Sequence, residues 1–218
     1  MGSITRSFAN NITTSGVLLP ASLTNNSIAN VTAYNAAIAT GNMVLISSQT
    51  ASNSASISFT TGIDSTYKEY QFWFVNVKPA TDATQLTFNL STDSGSNYNV
   101  AKTTTNFKAY HNETDTVQGL IYEDTMDLAQ GTGVQRISDG QGNASDESAC
   151  GVLTLFNPSS TTYVKHFISS FTEYNAGDYN VSMFVAGYGN TTSAVNAIRF
   201  TFVSGNISDG TFLMYGIK

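Results

Sequence analysis

The strongest constraint on this chain is a punctuation pattern that begins after Gly41: short runs of β-branched and aromatic residues, each cut off by Gly, Asn, Asp, Ser or Pro. Such runs are too short for ordinary helices, and several carry the period of two that a half-buried strand requires. Segment 85–91 sets Leu86, Phe88 and Leu90 against Gln85, Thr87 and Asn89, which predicts one buried and one wet face before a turn at Asp93-Ser94-Gly95. Segment 197–203 sets Ile198, Phe200 and Phe202 against Arg199 and Thr201. In 70–77, Tyr70, Phe72, Phe74 and Asn76 share one face and Gln71, Trp73, Val75 and Val77 the other, before Pro79 closes the strand. Both faces are mostly apolar, as in a central strand whose second face meets the arm or a neighbouring subunit.

Segments 43–49 and 55–60 read as a hairpin, and 106–111 as a strand with Phe107 and Ala109 inward. Further strands are expected at 120–122, 151–156, 163–171, 181–188 and 211–217, with a turn at 157–160 and a connection at 204–210. About ten strands and almost no helix predict an all-β fold, an antiparallel jelly-roll-like β-sandwich.

Composition decides what kind of surface this sandwich has. Hydrophobic residues make up 41% of the chain and charged residues only 11%, while 13 Phe and 11 Tyr supply core material. Solubility must therefore rest on Ser, Thr, Asn and Gly, and such a surface desolvates few full charges when it packs against a neighbour. The net charge of -6, with nine scattered Lys and Arg, opposes a nucleic-acid partner, which needs clustered cations. Cys150 is the single cysteine, so no disulfide forms within the chain, and it reads as a small apolar residue before a strand. Residues 1–10 lack an apolar leader core and no run nears the ~18 apolar residues of a membrane span, so a soluble chain without membrane insertion is expected.

Two segments break the strand pattern. Residues 1–40 are rich in Asn, Thr, Ser and Ala with small apolar groups, too few to form a core of their own. They read as an extended N-terminal arm preceding the sandwich of 41–218, with Phe8, Ile12, Val17, Leu18 and Leu19 as interface anchors and a short helix at 30–39. Segment 123–148 carries Gly131, Gly133, Gly140 and Gly142 among acidic and amide residues, with no apolar period. It reads as a long exposed loop, and loops beyond ~15 residues in compact domains are often functional. Its candidate receptor-facing residues are Tyr122, Glu123, Asp124, Asp127, Asp139 and Asn143.

No catalytic, cofactor or metal constellation emerges. There is no Gly-x-Ser-x-Gly elbow, and the two histidines, His111 and His166, lie in expected strands, where packing or a cross-strand hydrogen bond is their ordinary use. Glu69, Glu113, Glu123, Glu147 and Glu173 sit mostly beside turn residues, as solvated carboxylates do, rather than as a glycosidase pair. Asp139-Gly-Gln-Gly-Asn143 fails as a calcium loop, because Ala144 stands where glycine is needed and no glutamate follows at the twelfth position. Glu123, Asp124 and Asp127 are the set able to hold a hard cation, or a plain acidic turn. Tyr110, Tyr122, Tyr174 and Tyr188 are candidate saccharide-stacking rings, with core or interface packing as the alternative.

The runs Gly62-Ile-Asp-Ser-Thr-Tyr-Lys-Glu-Tyr70, Leu155-Phe-Asn-Pro-Ser-Ser-Thr-Thr-Tyr-Val-Lys-His-Phe167, Ala186-Gly-Tyr-Gly-Asn-Thr-Thr-Ser193 and 204–217, ending in Tyr-Gly-Ile, resemble virion structural proteins of tailed phages, especially those infecting marine bacteria. With the Asp-Ser-Gly-Ser-Asn-Tyr turn at 93–98, the resemblance spans 43–218. It implies a β-sandwich module of the kind found on head-decoration, fibre and tail proteins, and it carries over no catalytic residue. The expectation is therefore a non-enzymatic bacteriophage virion protein, assembled in the host cytoplasm. It would be a homotrimeric decoration, fibre or spike module, anchored by its arm to other virion proteins of capsid or tail. A receptor- or carbohydrate-binding module meeting a host-surface glycan is the alternative, and a polysaccharide depolymerase the second alternative.

Overall fold

The computed structural model describes residues 42–218; the arm, its anchors Phe8, Ile12, Val17, Leu18 and Leu19, and the helix expected at 30–39 lie outside the described residues. Twelve strands run in order: β1 (Met43–Ser54), β2 (Ile57–Phe59), β3 (Glu69–Pro79), β4 (Leu86–Ser91), β5 (Lys102–Asn112), β6 (Gln118–Tyr122), β7 (Gln135–Arg136), β8 (Ala149–Phe156), β9 (Lys165–Asn175), β10 (Tyr179–Gly189), β11 (Ala197–Phe202) and β12 (Ile207–Ile217). They form a large eight-stranded sheet, β1-β12-β3-β8-β9-β10-β5-β6, and a small four-stranded sheet, β2-β11-β4-β7. All pairs are antiparallel and the sheets pack face to face, so the expected all-β sandwich is the observed architecture.

Alternating large apolar residues fill the space between the sheets. Phe200 on β11 projects into a ring of aromatics, with centroids 5.0 Å from Phe74, 5.7 Å from Phe72, 5.8 Å from Phe212 and 6.4 Å from Phe59. Most of these contacts are tilted or edge-to-face, which the ring quadrupole favours. Farther along, Phe88 of β4 meets Phe167 of β9 edge-on at 4.9 Å. Gly151 gives Phe171 its place beside Phe74, 5.0 Å away, since a Cβ on Gly151 would sit 2.5 Å from the Phe171 ring.

Several local expectations are corrected. Segments 43–49 and 55–60 do not pair as a hairpin: β1 joins β12 in the large sheet and β2 joins β11 in the small one. The chain turns a corner there, with Asn53 at φ 50, and Ile57 and Phe59 enter the shared core. In β3 a bulge between Phe74 and Val77 places Asn76 at φ 51 and reverses the alternation, so Val77 is buried and Asn76 exposed. In β5 the inward residue is Asn106, while Phe107 faces out.

The wet face expected on β4 is dry as well, with all six residues buried. Its polar side chains find partners inside. Thr87 donates to the Thr201 carbonyl at 2.8 Å, and Asn89 donates to the carbonyls of Tyr98 and Thr132 at 2.7 and 3.0 Å. Segment 123–148 is correspondingly not an exposed loop throughout. It contributes β7 to the small sheet, and Gln135, Ile137, Ser138 and Gln141 are fully buried.

Phe200→Ala should lower unfolding free energy by about 3–5 kcal/mol, because the ring's contacts are lost and the surrounding rings cannot close the gap. Val203→Ala, at a side chain 49% exposed just beyond the same strand, should stay within about 0.5 kcal/mol. Urea denaturation followed by tryptophan fluorescence measures both.

Candidate interaction face

The inner face of the large sheet is covered by the small sheet and by segment 123–148; among the described residues no element covers its outer face. Cross-strand register aligns Leu213, Trp73, Val152, Ser170, Phe184, Phe107 and Tyr122 in one outward row from β12 to β6. On one side of it lies the row Leu45, Tyr215, Gln71, Thr154, Ile168, Ala186 and Thr105. On the other lies Cys150, Thr172, Ser182, Ala109 and Leu120. None of these positions carries Asp, Glu, Lys or Arg.

Large apolar side chains on this face are well exposed: Leu120 70%, Ile168 and Tyr122 54%, Phe107 45% and Trp73 41%. Some are already ordered against each other. Phe107 and Phe184 stack with centroids 5.1 Å apart and an interplanar angle of 14°, and the Trp73 indole N–H donates to Gln71 Oε1 at 3.0 Å. Side chains held this way lose little further freedom when a partner arrives.

The residues expected to form a receptor-facing loop separate into three places. Glu123 and Asp139 turn inward onto Lys108, at 2.9 and 3.0 Å. Burial alone would lower the Lys108 ammonium, but the two carboxylates outweigh it and hold its pKa above the ordinary value; the same contact lowers Glu123. Tyr122 donates to Asp127 at 2.5 Å, and that carboxylate raises the phenol. Asp124 is exposed next to this pair. Asn143 lies apart, its main-chain N–H donating to Asp82 at 3.2 Å and its amide to the Ala80 carbonyl at 3.1 Å. Glu123 therefore does not join Asp124 and Asp127 as a cation site, and among the described residues no group of three His, Cys, Asp or Glu side chains is placed to hold a metal ion.

Behind Asp139 lies a residue that sequence reasoning took for a solvated carboxylate. Glu173 on β9 is 3% exposed and accepts the Asp139 main-chain N–H at 3.0 Å. Its pKa is pushed up to about 8, first by burial and then by the charge of Asp139. Lys108, Glu123, Asp139 and Glu173 together pin segment 123–148 to β5 and β9. Two other buried cations sit across Gly189 from each other, Lys102 on β5 and Lys165 on β9. Lys102 donates to Asn89 Oδ1 at 2.6 Å and to the Val100 carbonyl at 2.9 Å, and burial lowers it to about 8. Lys165 donates to the carbonyls of Tyr163 and Thr191 at 2.6 and 3.2 Å and is likewise lowered by burial.

Of the candidate stacking tyrosines, Tyr174 lines a groove of about 360 Å³ at one margin of the outer face, together with Tyr179, His111, Glu113 and Asn180. The neighbouring Glu113 carboxylate, and after it burial, push the Tyr174 phenol up to about 12, and its hydroxyl donates to Asp178 Oδ1 at 3.4 Å. Tyr188 instead lies against His166 across the β9–β10 pair, with ring centroids 6.0 Å apart, and Tyr110 lies edge-on to Tyr179 at 6.1 Å. Cys150 is half-buried within β8, not ahead of it, with its Sγ 3.4 Å from the Asn76 main-chain nitrogen.

No protein-family model, curated protein or solved structure matches this chain.

Glu173 yields a signed pH dependence. Between the unfolded value near 4.5 and the folded value of about 8, the folded state holds the proton that the unfolded state has released. This group's contribution is thus complete below the unfolded pKa and is lost as pH rises through the folded one. Glu173→Gln should flatten that loss, so the urea midpoint of the variant falls less than that of the wild type between pH 5 and pH 8.

Proposed function

We propose that this chain is a non-enzymatic structural component of a bacteriophage virion, with a sandwich projecting from the particle and residues 1–40 as its anchor. One observation carries the reading: the central rows of the large sheet's outer face form a broad, charge-free, partly aromatic surface with exposed side chains. Monomeric soluble domains rarely leave contiguous apolar patches larger than a few hundred Å², and larger ones mark contact surfaces. A surface of hydroxyl, amide and aromatic groups forms such contacts without stripping water from full charges. The resemblance of 43–218 to tailed-phage virion proteins supports this choice of assembly, and the partners in this reading are other capsid or tail proteins. Phe8, Ile12 and the Val17–Leu18–Leu19 group are the proposed anchors, because the arm has too few apolar residues to fold on its own.

Mass spectrometry of purified particles tests this reading. The chain should be present in fixed copy number relative to the major capsid or tail protein, and a chain lacking 1–40 should stay behind in the lysate. A chain that is absent from particles and free in the lysate would refute the proposal.

A host-glycan reading has a specific site in its favour, the groove of Tyr174 and Tyr179. An aromatic ring beside amides and a carboxylate suits the apolar face and hydroxyls of a sugar. Under that reading, glycan-array binding by the full chain falls at least tenfold in Tyr174→Ala and is unchanged in Tyr122→Ala. No array signal for the wild type removes it.

A further inference from the structure

We infer that the outer face of the large sheet is covered by a second copy of this same chain. The inference rests on the structural reading above and specifies the partner that occupies its contact surface.

Charge distribution favours a copy over a different partner. The chain carries a net charge of -6, so two copies repel wherever their carboxylates approach. Seven of the exposed aspartates, Asp64, Asp82, Asp93, Asp115, Asp124, Asp146 and Asp178, lie in connections between strands, and the eighth, Asp209, lies near the start of β12, outside the central rows. Glu69 and Glu113 stand at opposite margins of the face, and its central rows carry no charge at all. The outer sheet face is therefore a surface on which two copies can meet without bringing like charges together. It also lacks the charge pattern that would select a different, complementary partner. An apolar centre with charged residues confined to the rim is the anatomy of homo-oligomer interfaces.

The size is sufficient. Strands spaced ~4.8 Å and rows ~6.6 Å apart make the three rows from β12 to β6 roughly 30 by 20 Å, or about 600 Å². Stable interfaces take about 600–1,000 Å² from each partner, and the three rows reach the lower end of that range. The stacked Phe107–Phe184 pair lies in the middle row, toward its β6 end, and offers a pre-ordered aromatic anchor.

Light scattering of the purified full-length chain reads the result directly. The wild type should run as a dimer, because a face that meets its own copy closes about a two-fold axis, while Phe184→Asp and Ile168→Asp should run as monomers with unchanged circular dichroism. Val203→Asp, exposed away from this face, should keep the wild-type mass. In the background of Cys150→Ser, Ser170→Cys should crosslink between copies with a short bis-maleimide, and Val203→Cys should not; this arm holds even if an Asp variant misfolds. A monomeric wild type, or an oligomer indifferent to both face substitutions and uncrosslinked through Ser170→Cys, overturns the inference. The two readings fail separately. A monomeric chain that still enters particles, and leaves them with Phe184→Asp, sinks self-association alone, whereas a face-dependent oligomer absent from particles sinks the virion reading alone.

Discussion

Phe200 reaches from the small sheet into the space bounded by Phe72, Phe74 and Phe212 of the large sheet, and Phe59 closes the ring from beside it. That contact fixes how two sheets of unequal width lie on each other, and the inequality governs the rest of the molecule. Eight strands at ~4.8 Å spacing present a face about 34 Å wide, and four strands cover less than half of it. The sheet therefore needs a second cover beyond β11 and β4.

Segment 123–148 is that cover, and it explains why the interior at this end is polar. A chain without apolar periodicity seals a sheet through the partners its buried groups find, and here most do, although the Asn106 side-chain amide and Gln141 Oε1 have none among the described residues. Gln135 Oε1 accepts from Thr104 at 2.7 Å, Ser138 Oγ accepts from the Leu86 N–H at 2.6 Å, and Gln141 donates to the Val77 carbonyl. Lys108 gathers Glu123 and Asp139 at the same end. Breaking one partner of such a group leaves the other desolvated and unpaired, which costs more than the hydrogen bond itself contributes. The cover is held by specific pairing, where the Phe200 end is held by burial.

This contrast sets what the sequence could disclose. The aromatic end was legible because Leu86, Phe88 and Leu90, and likewise Ile198, Phe200 and Phe202, alternate cleanly, and both sets are buried. The polar end was not, since Gln135, Ser138, Gln141 and Glu173 have the composition of a wet loop and their burial depends on partners far along the chain. The dry second face of β4 escaped for the same reason: Asn89 and Thr87 read as wet until Tyr98, Thr132 and Thr201 come over them. Single-residue irregularities were equally hidden. The bulge at Asn76 reverses the facing of Val77, and nothing in the run from Tyr70 to Val77 announces it.

The candidate site was legible in one strand and illegible in extent. Trp73 and Val75 on the second face of β3 already pointed to an apolar outer surface, because a strand buried on one side only should alternate apolar with polar. Its neighbours in the sheet are β12 and β8, remote in sequence, so only the folded register shows Trp73 sharing a row with Leu213, Val152 and Phe184. The low charge content then takes on a positional meaning. Scattered evenly, few charges would leave every surface weakly soluble; here the exposed aspartates are concentrated in the connections. The strand ends are thereby kept hydrated while the central face stays free of charges whose desolvation would oppose contact. A fold that sorts its charges this way leaves one broad face of low charge on the large sheet and keeps the loops around it hydrated.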